Sequence, residues 1–250
     1  RDGDQWRWVG VGRPETQEGN EATLVSGVPE GSHEYLLYLP LYNGVESLEI
    51  GLSPEAALAK APPRPADRAK PVLFWGTSIT HGGCASRPGM AYPAQIGRRL
   101  DREVINLGFS GNGQMDIELA EMLAELDVAA YVIDCAPNMA PERIAERTEP
   151  MVHALRKARP GTPIVLVENI VYQQGWYVQQ RRDGYQDKNA ALRAAYDRLA
   201  AEAVTGLHYV PCDDLLGHDG EATVDGTHPT DLGFMRTADV LTPVLREILE

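Results

Sequence analysis

Two features of this sequence have residue types and spacing that could do chemistry: a serine that closes an apolar run, and a histidine three residues after a carboxylate. The serine lies in Trp75-Gly76-Thr77-Ser78-Ile79-Thr80-His81-Gly82-Gly83, a small-residue turn. A hydroxyl on such a turn is open to an electrophile, and the backbone N–H beside it can point at an oxyanion forming there. The same segment also reads as an ordinary Ser/Thr turn or helix cap. The histidine lies in Val224-Asp225-Gly226-Thr227-His228-Pro229-Thr230. Positions three apart share a face of one helical turn or tight loop, so Asp225 can accept a hydrogen bond from the His228 Nδ1–H. That bond fixes the tautomer and leaves Nε2 as a base. An isolated Asp/His pair is also found in plain surface turns. The combination with a serine at a strand end, and with Pro229 stiffening the turn, shifts the balance from a plain surface turn towards a catalytic Asp/His pair.

Competing glycine and histidine patterns are weaker. Gly108-Phe109-Ser110-Gly111-Asn112 approaches a G-x-S-x-G nucleophile turn but ends in Asn112. Gly108, Gly111 and Gly113 lack the spacing of a dinucleotide loop. His81 is near Ser78 in sequence, but the Asp225 partner makes His228 the better base, and His81 is read as a loop or pocket-wall residue. The histidines at 33, 81, 153, 208, 218 and 228 form no i,i+4 pair and have no cysteine at zinc-finger spacing, so neither a metal nor another cofactor is called for. Cys84, Cys135 and Cys212 are far apart and read as free or buried thiols.

The elements that must position these groups follow from hydrophobic patterning. After Lys70, short apolar runs alternate with longer amphipathic ones, the rhythm of parallel strands joined by helical crossovers. Strands are expected over Pro71 to Trp75, Glu103 to Leu107, Ala129 to Asp134, Pro163 to Glu168 and Leu207 to Pro211. Helices are expected over Tyr92 to Leu100, Met115 to Leu126, Ala140 to Ala158, Asp187 to Ala203 and Leu232 to Leu249. This is an α/β chain, a three-layer α/β/α sandwich around a mainly parallel five-stranded sheet. Ligands bind beyond the carboxyl ends of such strands, where Ser78 falls. Between the fourth strand and its helix, Tyr172-Gln173-Gln174-Gly175-Trp176-Tyr177 runs on to Arg181-Arg182-Asp183-Gly184-Tyr185 as a long connection. Its aromatics, Trp176 and Tyr177 foremost, are candidates to cover the site and stack on a sugar ring or acyl group, or else they merely anchor the loop.

Residues 1–60 have a different texture. Gln5 to Val11, Ala22 to Ser26, Glu34 to Tyr42 and Ser47 to Leu52 are short runs rich in β-branched and aromatic residues, which are strand signals. Proline-rich residues 61–69 read as a linker, and 70–250 as the catalytic domain. With 43% hydrophobic residues in 250, the chain can bury a core of ordinary size. Its formal charge of −13 would repel phosphate backbones and anionic lipid, which disfavours nucleic acid and membrane surfaces as partners. No apolar run approaches the roughly 20 residues of a membrane span, and the chain opens on polar Arg1-Asp2-Gly3-Asp4 instead of a signal peptide. A soluble protein is expected, cytoplasmic or secreted after processing.

Four segments together resemble the sequence blocks of the SGNH/GDSL hydrolase superfamily, in that family's order. These are Gly76-Thr77-Ser78-Ile79-Thr80, Asn106-Leu107-Gly108-Phe109-Ser110-Gly111, Ala136-Pro137-Asn138 and Asp225-Gly226-Thr227-His228. The resemblance implies a flavodoxin-like fold and a catalytic triad of Ser78, His228 and Asp225. It also implies an oxyanion hole built from the Ser78 and Gly111 N–H groups and the Asn138 amide. Two positions depart from the pattern: Thr77 replaces the usual aspartate before the nucleophile, and Asn138 sits between Pro137 and Met139. The first block, continued by Gly82-Gly83-Cys84-Ala85-Ser86-Arg87-Pro88-Gly89 and preceded by Tyr38-Leu39-Pro40-Leu41-Tyr42-Asn43-Gly44, is similar to a subgroup with a β-sandwich before the hydrolase domain. That likeness implies that residues 1–60 are the tail of such a sandwich. It implies an esterase removing short acyl groups, chiefly acetyl, from a small-molecule or carbohydrate ester, with an acyltransferase using the same triad as the alternative.

Overall fold

The apolar runs after Lys70 become the strands of one sheet in the computed structural model, which describes residues 1–249. Among these residues are five strands, β1 (Val72–Gly76), β2 (Val104–Gly108), β3 (Ala130–Asp134), β4 (Ile164–Val167) and β5 (Leu207–Val210), all parallel, in the order β2-β1-β3-β4-β5. The α-helices are α1 (Ser78–His81), α2 (Tyr92–Leu100), α3 (Ile117–Leu123), α4 (Pro141–Ala158), α5 (Gln179–Ala201) and α6 (Asp231–Leu249). The expected α/β/α sandwich with a five-stranded parallel sheet is what forms.

Side chains alternate across the sheet and divide the core in two. Val72, Phe74, Val132 and Val165 face one way and pack with Ile96 of α2 and Phe234, Leu241 and Leu245 of α6. Leu73, Trp75, Ile133 and Leu166 face the other way, against Leu123 of α3, Ile144 and Leu155 of α4 and Leu192 of α5. The strand order explains the division. The chain steps from β1 to β2 in one direction, then crosses back past β1 to β3 and onward. Parallel crossovers are right-handed, so this reversal puts α3, α4 and α5 on the face opposite α2. Each fully buried Phe, Leu or Ile contributes about 1.5–3 kcal/mol relative to exposure.

The reversal also opens a crevice where strands part on either side of β1. Gly76 is in register with both Gly108 and Asp134, so the ends of β1, β2 and β3 lie level. One departure from expectation is α5, which starts at Gln179, eight residues ahead of the expected start, and takes in Arg181 to Tyr185. Polar contacts such as Gln179 Nε2 to Asp183 Oδ1 at 2.5 Å stabilise this first stretch, where no apolar stripe announces a helix.

The chain divides into two compact units, Arg1–Pro40 with Gly44–Pro62, and Leu41–Asn43 with Pro63–Glu250. In the first unit the four runs expected as strands form no ladder. The bridge between Asp2 and Gln5 is the one β-bridge assigned among its described residues. Trp8, Val11, Leu24, Leu36 and Leu37 stay exposed. Strand propensity measures fit to a half-buried pleated surface, and these runs have no such surface to lie on. No helix among the described residues is long and apolar enough to cross a membrane.

Gly108 is where β2 meets α1. A Cβ there would lie 2.1 Å from the His81 backbone nitrogen, so only a hydrogen lets the helix rest on the strand end. Gly108→Ala is expected to destabilise the protein by about 1–3 kcal/mol or more, read as a lower urea midpoint. An unchanged midpoint would mean that α1 does not seat on β2.

Candidate active site

Ser78 is the first residue of α1, one turn long and capped at both ends. Thr77 is the N-cap, its Oγ1 accepting the Ile79 N–H at 3.2 Å, and Gly82 closes the turn in the left-handed region. A threonine cap satisfies the helix start as an aspartate would, so the departure at position 77 leaves the turn intact. Asn106 braces α1 from β2, donating from Nδ2 to the Thr80 carbonyl at 2.9 Å.

His228 arrives from the connection after β5. Glu168, at the end of β4, accepts the Cys212 N–H at 2.8 Å and fixes the start of that connection. Farther on, Val224 donates to the His228 carbonyl and Thr230 to the Ala222 carbonyl, both at 2.8 Å, closing a tight loop. Asp225 Oδ1 accepts the N–H groups of Thr227 (2.9 Å) and His228 (2.7 Å), and its Oδ2 accepts the His228 Nδ1–H at 2.7 Å. The other ring nitrogen, Nε2, is 2.9 Å from Ser78 Oγ, across 150 positions of chain. Burial works to raise the Asp225 pKa, but the three hydrogen bonds and the nearby imidazole outweigh it and hold the carboxyl down at about 2. Asp225 therefore stays ionised throughout the neutral range. Cys84 is raised above the ordinary thiol range by burial and then by the Asp225 charge.

The other expected residues fall as follows. Gly111 (φ +76°) and Asn138 sit on the loops after β2 and β3. With its amide oxygen turned to them, Asn138 accepts the N–H groups of Gly111 and Asn112 at 3.2 Å each, the orientation that satisfies both sides. The two oxyanion candidates are thus neighbours. Trp176 and Tyr177 are 82% and 80% exposed, with ring centroids 5.3 Å apart. His81 turns away from Ser78: its ring stacks on Tyr42 at 4.0 Å and its Nε2–H donates to the Leu41 carbonyl.

Two groups of residues went unrecognised in the sequence. Asp134, fully buried, accepts hydrogen bonds from Thr80 Oγ1 of α1 and the Tyr92 hydroxyl of α2, each at 2.9 Å. Its only signal is an acidic residue ending an apolar strand. Gln173, Gln174 and Arg181 hold the Asp225–His228 loop. The signal there is a pair of amides at a strand's carboxyl end.

Residues 69–246 match the GDSL-like Lipase/Acylhydrolase family, and residues 1–58 match a family described as the N-terminus of esterases of the SGNH-hydrolase type. A GDSL-like lipase structure from Bacteroides ovatus is 42% identical, with TM-score 0.70 over 72% of this chain and 53% of that one. At the level of fold alone, a salicylyl-acyltransferase from a tetracycline biosynthetic pathway is similar (18% identity, TM-score 0.63, 72% and 55% covered). So is a family two carbohydrate esterase from Clostridium thermocellum in complex with cellohexaose (14%, 0.60, 77% and 67%). The chain spans about half the length of the first two of these structures. No curated protein matches it.

Burial raises the Asp134 pKa from 3.8 to about 7, against the lowering effect of the Tyr92 and Thr80 hydrogen bonds. A carboxyl that holds its proton more tightly when folded stabilises the fold at low pH and loses that stabilisation as pH climbs through the folded value. Unfolding measured from pH 4 to 8 should therefore show wild type losing up to about 4 kcal/mol relative to Asp134→Asn. Parallel stability curves would mean that Asp134 is ionised throughout.

Proposed function

Because the chain belongs to the GDSL-like Lipase/Acylhydrolase family, we propose that it is a serine esterase working through an acyl-Ser78 intermediate. The supporting observation is the continuous hydrogen-bond chain from Ser78 Oγ through His228 to Asp225, at 2.9 and 2.7 Å.

The Ser78 hydroxyl attacks the ester carbonyl while its proton passes to His228 Nε2. Asp225 keeps the ring in place and stabilises the imidazolium. The tetrahedral intermediate collapses, His228 gives the proton to the departing alcohol, and the acyl group stays on Ser78. A water molecule, deprotonated by His228, then attacks the acyl-enzyme, and His228 returns that proton to Ser78 Oγ as the acid leaves. The oxyanion is received by the Ser78 and Gly111 N–H groups and the Asn138 amide, each donor being worth roughly 3 kcal/mol. In the structure the Asn138 oxygen accepts the Gly111 N–H. An oxyanion is a stronger acceptor than a neutral amide and takes that donor over.

The substrate reading is a short acyl ester, chiefly acetyl, on a carbohydrate. Trp176 and Tyr177 support it as an exposed aromatic ledge on the turn that touches the acid–base loop. Hydrolysis is favoured over transfer to another alcohol because the Asp225 and His228 side chains are 52% and 34% exposed, which lets water reach the acyl-enzyme.

Ser78→Ala and His228→Ala are each expected to lower kcat by about three or more powers of ten. Either variant hydrolysing p-nitrophenyl acetate at the wild-type rate would refute the mechanism. Release of p-nitrophenol from acetate, butyrate and octanoate esters should be fastest with acetate, and a preference for octanoate would refute the acyl assignment.

A further inference from the structure

The loop that carries Asp225 and His228 is closed on itself by hydrogen bonds, but it has little apolar packing to fix where it sits. Ala222 and Pro229 are buried at its two ends, but Val224 between them is 64% exposed and Asp225 is exposed as well. A second set of restraints comes from outside, from the turn after β4 and the start of α5. The Gln173 backbone N–H donates to the Gly226 carbonyl at 2.9 Å. Gln174 Nε2 donates to the Asp225 carbonyl, the Thr223 hydroxyl donates to Gln173 Oε1, and Arg181 donates to the Thr227 hydroxyl.

Gly226 shows that the loop and this turn fit as one unit. Its φ of +85° is in the left-handed region, and a Cβ there would fall 1.8 Å from Gln174 Nε2. The amide fills the space that any other residue at 226 would need for its side chain.

We propose that Gln174, assisted by Gln173 and Arg181, is a positioning residue that sets the distance between the His228 base and the Ser78 nucleophile. The inference rests on the assignment of Ser78, His228 and Asp225 as the catalytic set. The carbonyl gripped by Gln174 belongs to Asp225 itself, so a shift of the turn moves the carboxylate and the imidazole together. Displacement of a reacting group by about 1 Å can cost 100-fold in rate. None of these four contacts touches Ser78 or the loops carrying Gly111 and Asn138, so the effect falls on proton transfer and not on acyl binding.

The test uses the whole chain and p-nitrophenyl acetate. Gln174→Glu keeps the size but removes the donor and sets a carboxylate against the Asp225 carbonyl. It should lower kcat by about 10- to 100-fold, with KM within about twofold and an unchanged Tm. Protonating the new carboxyl restores an O–H donor, so the ratio of variant to wild-type kcat should rise as pH is lowered from 8 to 5. Gln174→Leu should lose kcat to a similar degree, with a pH-independent ratio. Thr223→Val removes the tie to Gln173 and should show a smaller loss. If Gln174→Glu fails to fold, the Gln174→Leu and Thr223→Val values of kcat decide. Wild-type kcat in the folded variants, or a loss confined to KM, overturns the proposal. Undiminished turnover by Ser78→Ala would instead overturn the underlying assignment of the triad.

Discussion

One hydrogen bond, from Ser78 Oγ to His228 Nε2 at 2.9 Å, joins two turns of chain that lie 150 positions apart. Neither turn can supply that distance alone. A proton moves efficiently between heteroatoms only at hydrogen-bond range, so each end must be held to a few tenths of an ångström by its surroundings. The serine end is held by strand geometry. α1 is capped by Thr77, rests on the Cβ-free surface of Gly108 and is tied to β3 through Thr80 and Asp134. The histidine end has no such bed. It depends on the Asp225 carboxylate inside its loop and on amides donated by a neighbouring turn.

Two carboxylates near the site have opposite fates, for reasons visible in their surroundings. Asp225 is partly exposed, and two backbone N–H groups and an imidazole converge on it, so its charge is welcome and the carboxyl is held at about 2. Asp134 sits below α1, buried from solvent. Two hydroxyls are too few to replace its lost hydration, and its pKa rises to about 7. In the proposed mechanism one is an electrostatic partner for a transient cation. The other is a structural acceptor that tolerates being neutral, because a protonated carboxyl still accepts from Thr80 and Tyr92.

The reversal of strand order around β1 gives the site its place. With the ends of β1, β2 and β3 level at Gly76, Gly108 and Asp134, their following loops deliver Ser78, Gly111 and Asn138 to one edge of the sheet. Sites built on such rigid ends are more precise than sites on free loops. The connection after β4 is used for something else: its amides bond to the Asp225–His228 loop while its two aromatic rings stand out in solvent.

Local pattern was enough to read the alternation of strands and helices after Lys70, since period-two and helical spacings leave their mark within a few residues. It was also enough for Asp225 and His228, whose bond is made within one turn of chain, and the Ser78 turn was legible as small residues after a buried strand. Other features depend on distant partners and left little trace. The start of α5 is polar, and its stability comes from side-chain pairs instead of an apolar stripe. The runs before residue 60 carry strand propensity, but propensity makes a strand only where another backbone completes the ladder. Asp134 looked like a strand terminus, and Gln173, Gln174 and Arg181 like ordinary loop polarity, until the fold set them against Thr80, Tyr92 and the Asp225–His228 loop. Chemical identity and short-range geometry belong to the sequence. Which groups meet across the crevice, and which carboxyl loses its water, is decided by tertiary packing, because solvation and hydrogen-bond distance are properties of surroundings brought together from the whole chain.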